Sequence, residues 1–326
     1  MIVITGGAGM IGSMIACHLN QRGQDDLLVA DRITDPDQWQ NLCHRQLADY
    51  LDKDELLAWL AGPTAGTVEA VIHMGAISAT TERDFARLLE DNIRFSQHLW
   101  RWCATHQIPF LYASSAATFG GGEAGYVDHH ELAGLRPLNG YGFSKQFFDQ
   151  WALRQQRLGE PTPPRWYGFK YFNVYGPNEY HKHRMASVAY HAFKQARDTA
   201  RVRLFRSYRA DIADGMQMRD FVYVKDAAAA TCHFLDHPAE SGLYNIGSGR
   251  ARSFLDLAKA VQTALGQTPD IEFVDMPEDL RGRYQYFTQA DIAKLRRAGY
   301  IQPFMELEAG VADYVGNYLT QPDPYC

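Results

Sequence analysis

The chain has 326 residues, 46% hydrophobic and 21% charged, with a mean hydropathy of −0.34. That composition suits one large α/β domain with an appendage, or two modest domains, and 13% aromatic residues spread along the chain exclude intrinsic disorder. The net charge of −6 argues against nucleic acid as the main partner, and no stretch approaches the roughly 18–20 apolar residues that cross a bilayer.

Met1 runs straight into Ile2, Val3 and Ile4 with no basic leader, so no secretory signal is expected and the apolar run reads as a buried strand. A glycine loop follows, and then Ile11, Ile15 and Leu19 recur at helical spacing on one face. Leu27 to Ala30 reads as a second strand, residues 68–73 as a third and 109–113 as a fourth, with one long helix over about 82–106 between the last two. A further strand is expected at 165–172, after the surface loop Pro161-Thr162-Pro163-Pro164, and short ones at 220–224 and 243–246. Alternating strands and helices predict an α/β fold, a Rossmann-type doubly wound parallel sheet with a smaller interleaved C-terminal substrate domain. The dinucleotide-binding part is expected over 1–173 with returns at about 219–248, and the substrate-binding part over 174–218 and 249–326.

The five cysteines, Cys17, Cys43, Cys103, Cys232 and Cys326, are odd in number and form no C-x-x-C pair. Neither a disulfide framework nor a structural zinc site is expected, and a reducing cytoplasm fits. The twelve histidines include His129-His130 and the His181/His183 pair, but none is accompanied by ligands that make a metal site, and no metal is expected. Charge is uneven. From His181 to Arg219 nine Lys/Arg face three Asp, giving +6 there and −12 elsewhere. This segment reads either as a solvated, arginine-rich helix face or as a positive wall beside a small anionic ligand such as a diphosphate.

Gly6-Gly7-Ala8-Gly9-Met10-Ile11-Gly12 satisfies G-x-G-x-x-G between a strand and an amphipathic helix. Glycines let the backbone turn sharply and approach a pyrophosphate, for which the helix N-terminus supplies free N–H groups. Asp31 lies 19 residues beyond Gly12, where a carboxylate accepts hydrogen bonds from the adenosine ribose. A nicotinamide dinucleotide is expected. Asp31 favours NAD, whereas Arg32 beside it, and Lys53, could pair with the 2′-phosphate of NADP.

Tyr141 and Lys145 are four apart in Tyr141-Gly142-Phe143-Ser144-Lys145, hence about 40° apart on one helix face. An ammonium stabilises a neighbouring phenolate and so makes the phenol a usable base. Ser115 follows a strand end, where open α/β sheets place ligands, and could hold the oxygen of a substrate alcohol or carbonyl. Glycine loop, serine and Tyr/Lys pair in this order predict reversible hydride transfer at a hydroxyl-bearing carbon.

These motifs resemble the extended short-chain dehydrogenase/reductase family, which acts mainly on nucleotide sugars: TGGAGMIG, SSAATFGG, YGFSK, YFNVYGP (171–177) and RDFVYVKD (219–226) span most of the chain in the family's order. PLNGYGFSK, FKYFNVYGPNEYHKHRMASVAYH, YNIGSGRARSF and LRGRYQYFTQADI are most similar to its ADP-L-glycero-D-manno-heptose 6-epimerase branch. The resemblance implies an isomerase that inverts C6 of an ADP-heptose for the lipopolysaccharide core, with bound NADP, by oxidation to an aldehyde-like intermediate and re-reduction on its other face. It further implies a homo-oligomer, usually a pentamer, with a small ADP-sugar as ligand and neither nucleic acid nor membrane as partner. Tyr141 would serve one face of C6 and Lys182 the other, with Lys145 tuning the tyrosine and Ser115 holding the reacting oxygen. Implied cofactor contacts are Gly6, Gly9, Met10, Ile11, Gly12, Asp31, Arg32, Lys53, Met74, Gly75, Ala76, Ile77, Ser78, Asn92, Lys145 and Val174. Implied substrate contacts are Ser115, Asn173, Lys182, His191, Leu204, Phe205, Arg206, Ser207, Arg219 and Tyr284, with Arg219 suited to a diphosphate.

The chain departs from the family pattern at several places. Phe119 stands where a tyrosine is usual, Gln38 where a base is common, and His183-Arg184 replaces smaller residues; the 207–218 stretch is longer. Two alternatives stay open. One is another nucleotide-sugar 4-epimerase or 4,6-dehydratase, although Ala116-Ala117 occupies the place of the dehydratase Asp-Glu pair. The other is a non-catalytic dinucleotide-binding sensor, although such proteins tend to lose the tyrosine or lysine kept here.

Overall fold

The computed structural model describes residues 1–129, 131–281 and 284–326. His130, with Gly282 and Arg283 of the LRGRYQYFTQADI segment, lies outside the described residues. In chain order the strands are β1 (Ile2–Thr5), β2 (Leu27–Asp31), β3 (Asp49–Asp52), β4 (Ala70–His73), β5 (Phe110–Ser115) and β6 (Trp166–Tyr171). They continue as β7 (Asn173–Tyr175), β8 (Val202–Phe205), β9 (Met218–Tyr223), β10 (Gly242–Ile246), β11 (Ala251–Ser253) and β12 (Ile271–Val274).

Among the described residues these strands fall into three sheets. Seven form one sheet in the order β10-β6-β5-β4-β1-β2-β3, with every neighbour pair parallel. The chain winds outward from β1 in one direction through β2 and β3, and in the other from β4 through β5 and β6. The reversal between β1 and β4 is the switch point where such sheets place ligands.

Both faces of the sheet are covered, as an all-parallel sheet requires. Ile2 and Ile4 of β1 pack on one side with Ile15 and Leu19 of helix Met10–Gln21 and with Ala230 and Phe234 of helix Val224–Asp236. Val3, between them in sequence, points the other way into Leu99, Trp100, Phe148 and Ala152. A strand with side-chain period two thus feeds two separate cores. The expected doubly wound parallel sheet is what forms.

The long helix expected over 82–106 has an unforeseen centre. It begins at Phe85–Leu88, capped by the Asp84 side chain, widens to a π-helical turn over Leu89–Arg94 and resumes as α-helix over Phe95–His106. Wide turns of this kind are rare, and no periodicity announces them.

β11, β9 and β7 make the three-stranded sheet, β9 pairing antiparallel with β11 and parallel with β7. β8 and β12 make a parallel pair. A third apolar cluster, including Phe193, Leu204, Tyr223, Val261 and Tyr314, joins these strands to helices Val188–Thr199, Phe254–Ala264 and Leu307–Tyr314. Among the described residues no helix is long and apolar enough to cross a membrane.

Candidate active site

A cleft of about 910 Å³ runs along the C-terminal ends of β1, β2, β4 and β5 and on to β7 and β9. Its residues come from three stretches of structure, each with a separate chemical character.

At one end lies the glycine loop. Gly6 has φ 66°, and a Cβ there would meet Gly75 Cα at 2.5 Å; at Gly12 a Cβ would run into the Gly6 carbonyl oxygen. Helix Met10–Gln21 starts behind Gly9 with no side-chain cap, so its first N–H groups are left for a ligand in the cleft that Gly9, Met10, Ile11 and Gly12 line. Asp31 ends β2 and accepts from Ala8 N–H at 3.0 Å and Arg32 N–H at 2.8 Å, while burial pushes its carboxyl up to about 6. A backbone cradle with no Cβ in the way, open helix amides and a ribose-height carboxylate fit a dinucleotide.

The cations near Asp31 are not free. The Arg32 guanidinium grips both oxygens of Asp54, at 2.6 and 2.9 Å, and Lys53 pairs with Asp91. Asn92, next to Asp91 on the π turn, accepts from Ile77 N–H at 2.8 Å and donates to Ile77 O at 3.0 Å and Ser144 Oγ at 2.9 Å. Asn92 therefore stands behind the cleft wall, holding the loop of Met74, Gly75, Ala76, Ile77 and Ser78 against the next helix.

The middle of the cleft carries Ser115, Tyr141 and Lys145. Ser115 ends β5, accepts from Ala117 N–H at 3.1 Å and shares a hydrogen bond with the Tyr141 side chain. Tyr141 and Lys145 lie on helix Gly140–Leu158, whose cap Asn139 accepts from Gly142 N–H at 2.8 Å. Burial raises the Tyr141 phenol, the Ser115 bond opposes that rise, and burial brings Lys145 down to about 8. Beneath them Asp149 is wholly buried, paired with Lys170 at 2.7 Å and accepting from Tyr112 at 2.9 Å and Ser114 at 2.7 Å. Phe119, at the position where tyrosine was expected, is 1% exposed, and Lys170 stacks over its ring.

The far wall is built by the turn after β7. Glu179 is 1% exposed, and its carboxylate accepts from Gly176 N–H at 3.3 Å, Ser187 Oγ at 2.8 Å, Tyr314 OH at 3.0 Å and Ser187 N–H. Lys182 N–H donates to Glu179 O at 3.0 Å, and its half-buried ammonium is lowered by desolvation against the pull of Glu179. The backbone turns at His183, with φ 47° and ψ −115°, a strained conformation for a residue with a Cβ. His183 Nε2 meets Asp35 Oδ2 at 2.6 Å and anchors that turn. Beyond it Arg219, 7% exposed, lies over the rings of Phe254 and Tyr284 at 5.4 and 5.3 Å. Among the described residues no carboxylate pairs with it.

The cleft thus brings together Tyr141, Lys145, Ser115, Lys182, Asn173, Val174, Phe205, Arg219 and Tyr284 with the dinucleotide set. His191, Leu204, Arg206 and Ser207 do not line it. Leu204 points into the third core, Arg206 pairs with Asp214 at 3.2 Å, Ser207 N–H donates to Asp214 at 2.7 Å, and the His191 ring lies against Tyr190. The positive wall shrinks likewise: Arg197, Arg201, Arg203 and Arg209 pair with Asp198, Asp270, Glu272 and Asp211 on exposed surface. Of the nine Lys/Arg of that segment, Lys182 and Arg219 reach the cleft. Glu179 and Phe254 also line it without a role from sequence reasoning, the sole signal being the YGPNE context of Glu179, and so does His181, which had been read as a surface or substrate-loop residue. Among the described residues no three His, Cys, Asp or Glu side chains gather to hold a metal ion.

Comparison with known proteins agrees with this architecture. Residues 2–247 match the NAD dependent epimerase/dehydratase family. The chain is 49% identical to the ADP-L-glycero-D-manno-heptose-6-epimerase of Fusobacterium nucleatum and 46% identical to that of Nitratidesulfovibrio vulgaris Hildenborough, each match covering 100% of both chains. The crystal structure of the Helicobacter pylori ADP-L-glycero-D-manno-heptose-6-epimerase superposes with a TM-score of 0.79 at 26% identity, over 97% of this chain and 95% of that one. The chain belongs to the NAD dependent epimerase/dehydratase family, on its ADP-L-glycero-D-manno-heptose-6-epimerase branch.

Proposed function

We propose that this chain interconverts ADP-D-glycero-β-D-manno-heptose and ADP-L-glycero-β-D-manno-heptose by oxidation and re-reduction at C6, as a step toward the heptoses of a lipopolysaccharide core. The observation that carries the reading is one cleft shared by two separate proton-handling groups: the Tyr141/Ser115 pair with Lys145, and Lys182 on the far wall. In this reading the C6 hydroxyl proton is handled from opposite sides in the two epimers, and two groups on facing walls divide that work.

Bound nicotinamide dinucleotide supplies the hydride acceptor and donor. Tyr141 takes or gives the C6 hydroxyl proton on one face, and Ser115 holds the oxygen. Lys145, kept charged, favours the phenolate of Tyr141. Lys182 handles the proton on the other face, and burial lowers its ammonium from the ordinary lysine value against the pull of Glu179. Arg219, a buried cation with no carboxylate partner among the described residues, takes the diphosphate, which offsets the cost of burying that charge. The cofactor is NADP, for whose 2′-phosphate Arg32 and Lys53 would exchange their present carboxylate partners. Asp31 in the same pocket favours NAD, and that is the second reading.

The test is incubation with ADP-D-glycero-D-manno-heptose, first alone and then with NADP or NAD, following C6 configuration by NMR. Conversion to a mixture of epimers is expected. Silence under all three conditions would move the substrate to another nucleotide sugar.

A further inference from the structure

Away from the cleft, two sulfurs from opposite ends of the chain are nearly in bonding distance. Cys17 Sγ and Cys326 Sγ lie 3.0 Å apart as free thiols. Cys17 is 4% exposed on helix Met10–Gln21, and Cys326 is the half-buried last residue. The segment ending at Cys326 is held on all sides. Cys326 N–H donates to Asn178 Oδ1 at 3.0 Å, Tyr180 OH donates to Pro324 O at 2.7 Å, and His44 meets Asp323 at 2.8 Å. The Arg45 guanidinium donates to the Cys326 carbonyl, while its Nε is buried with no hydrogen-bond partner among the described residues. A cation with an unused N–H therefore stands beside two thiols.

We propose that Cys17 and Cys326 form a reversible oxidation site, closed to a disulfide by a small peroxide, which ties the end of the chain to the glycine-loop helix. Sulfurs already 3.0 Å apart need only a small approach to reach the bonded distance of about 2.05 Å. The Cys326 thiol and the Arg45 charge stabilise an anion at Cys17, bringing it down to about 6. At Cys103 and Cys232 burial dominates and pushes the thiols up.

The step balances with the peroxide as oxidant. The Cys17 thiolate attacks a peroxide oxygen, the O–O bond breaks, and the departing hydroxide takes up the thiol proton as water. The Cys326 thiol then attacks the Cys17 sulfenic sulfur, the S–O bond breaks and a second water leaves. Two electrons pass from the sulfurs to the peroxide. Since Cys17 is almost wholly covered, a small oxidant reaches it and a bulky disulfide does not. The same segment touches Asn178 and Tyr180, which precede Lys182, and Asn178 also donates to Ser13 Oγ at 2.9 Å on the Cys17 helix. Closing the bond fixes the base of the Lys182 turn against the glycine-loop helix.

The test is to treat the full chain with equimolar hydrogen peroxide, block free thiols, and map the peptides without reductant. The expected result is loss of two hydrogen atoms in mass and a linked Cys17–Cys326 peptide that dithiothreitol separates. Cys17→Ser and Cys326→Ser each abolish the loss, and Cys43→Ser, which removes the exposed thiol, keeps it. Oxygen addition without the linked peptide, cross-linking through Cys43, or an untouched pair beside an oxidised Cys43 would overturn the proposal.

Discussion

Lys145 and Asp149 stand one turn apart on the same helix, both buried, yet the Asp149 carboxylate is engaged by Lys170 at 2.7 Å, and among the described residues Lys145 has no ion pair. The separation keeps a cation available beside Tyr141. It also separates two kinds of mutation. Lys145→Met removes the charge that favours the phenolate and is expected to lower turnover by roughly 10²–10⁴-fold with little loss of Tm. Asp149→Asn breaks a buried pair, and a stability loss of about 3–5 kcal/mol in denaturant titration is expected.

The two-base reading makes Tyr141 and Lys182 separately necessary. Tyr141→Phe and Lys182→Met should each reduce epimerisation by roughly 10²–10⁴-fold in initial-rate assays, with both proteins folded. Unchanged turnover in the Lys182 variant would leave a single-base reaction.

Arg219 should act on binding more than on chemistry. Its guanidinium is buried between Phe254 and Tyr284 and is free of carboxylates among the described residues. Arg219→Met is expected to raise KM for the ADP-sugar by roughly 10–100-fold while kcat changes far less.

Asp31 gives a pH signature. Burial lifts its carboxyl from 3.8 to about 6, so its contribution to folding is fully present below the unfolded value and is lost as pH rises through about 6. The stability of the ligand-free wild type relative to Asp31→Asn should therefore fall across pH 4–6, by up to about 3 kcal/mol, and level off above. Paired urea titrations across that range measure it.

Much of this was legible in the chain. The glycine loop, strands β1, β2, β4, β5 and β6 and the Tyr141/Lys145 spacing follow local rules and sit where those rules require, whereas the short, exposed β3 (Asp49–Asp52) was not foreseen. What escaped depends on pairing between distant residues. The Arg-rich stretch reads as a positive wall until Asp270 and Glu272, some seventy residues away, neutralise Arg201 and Arg203. Glu179 looks like any acidic loop residue until Tyr314 and Ser187 close over it. Leu204 and Phe205 are adjacent, yet strand alternation sends one to the core and the other to the cleft.

The NADP reading predicts that freeing Arg32 from Asp54 strengthens NADP binding. Asp54→Asn would release the guanidinium, and an exposed pair of this kind is worth up to about 1 kcal/mol. NADP affinity relative to NAD should rise roughly two- to fivefold, read by calorimetric titration of both dinucleotides.

The most direct test of the central claim is the same epimerisation carried out in D₂O, with C6 examined by NMR. Hydride removal and return predict a mixture of C6 epimers with no solvent deuterium on carbon, because only hydroxyl protons exchange through Tyr141 and Lys182. Deuterium at C6 would mean that a carbon-bound proton is abstracted, and it would contradict the account.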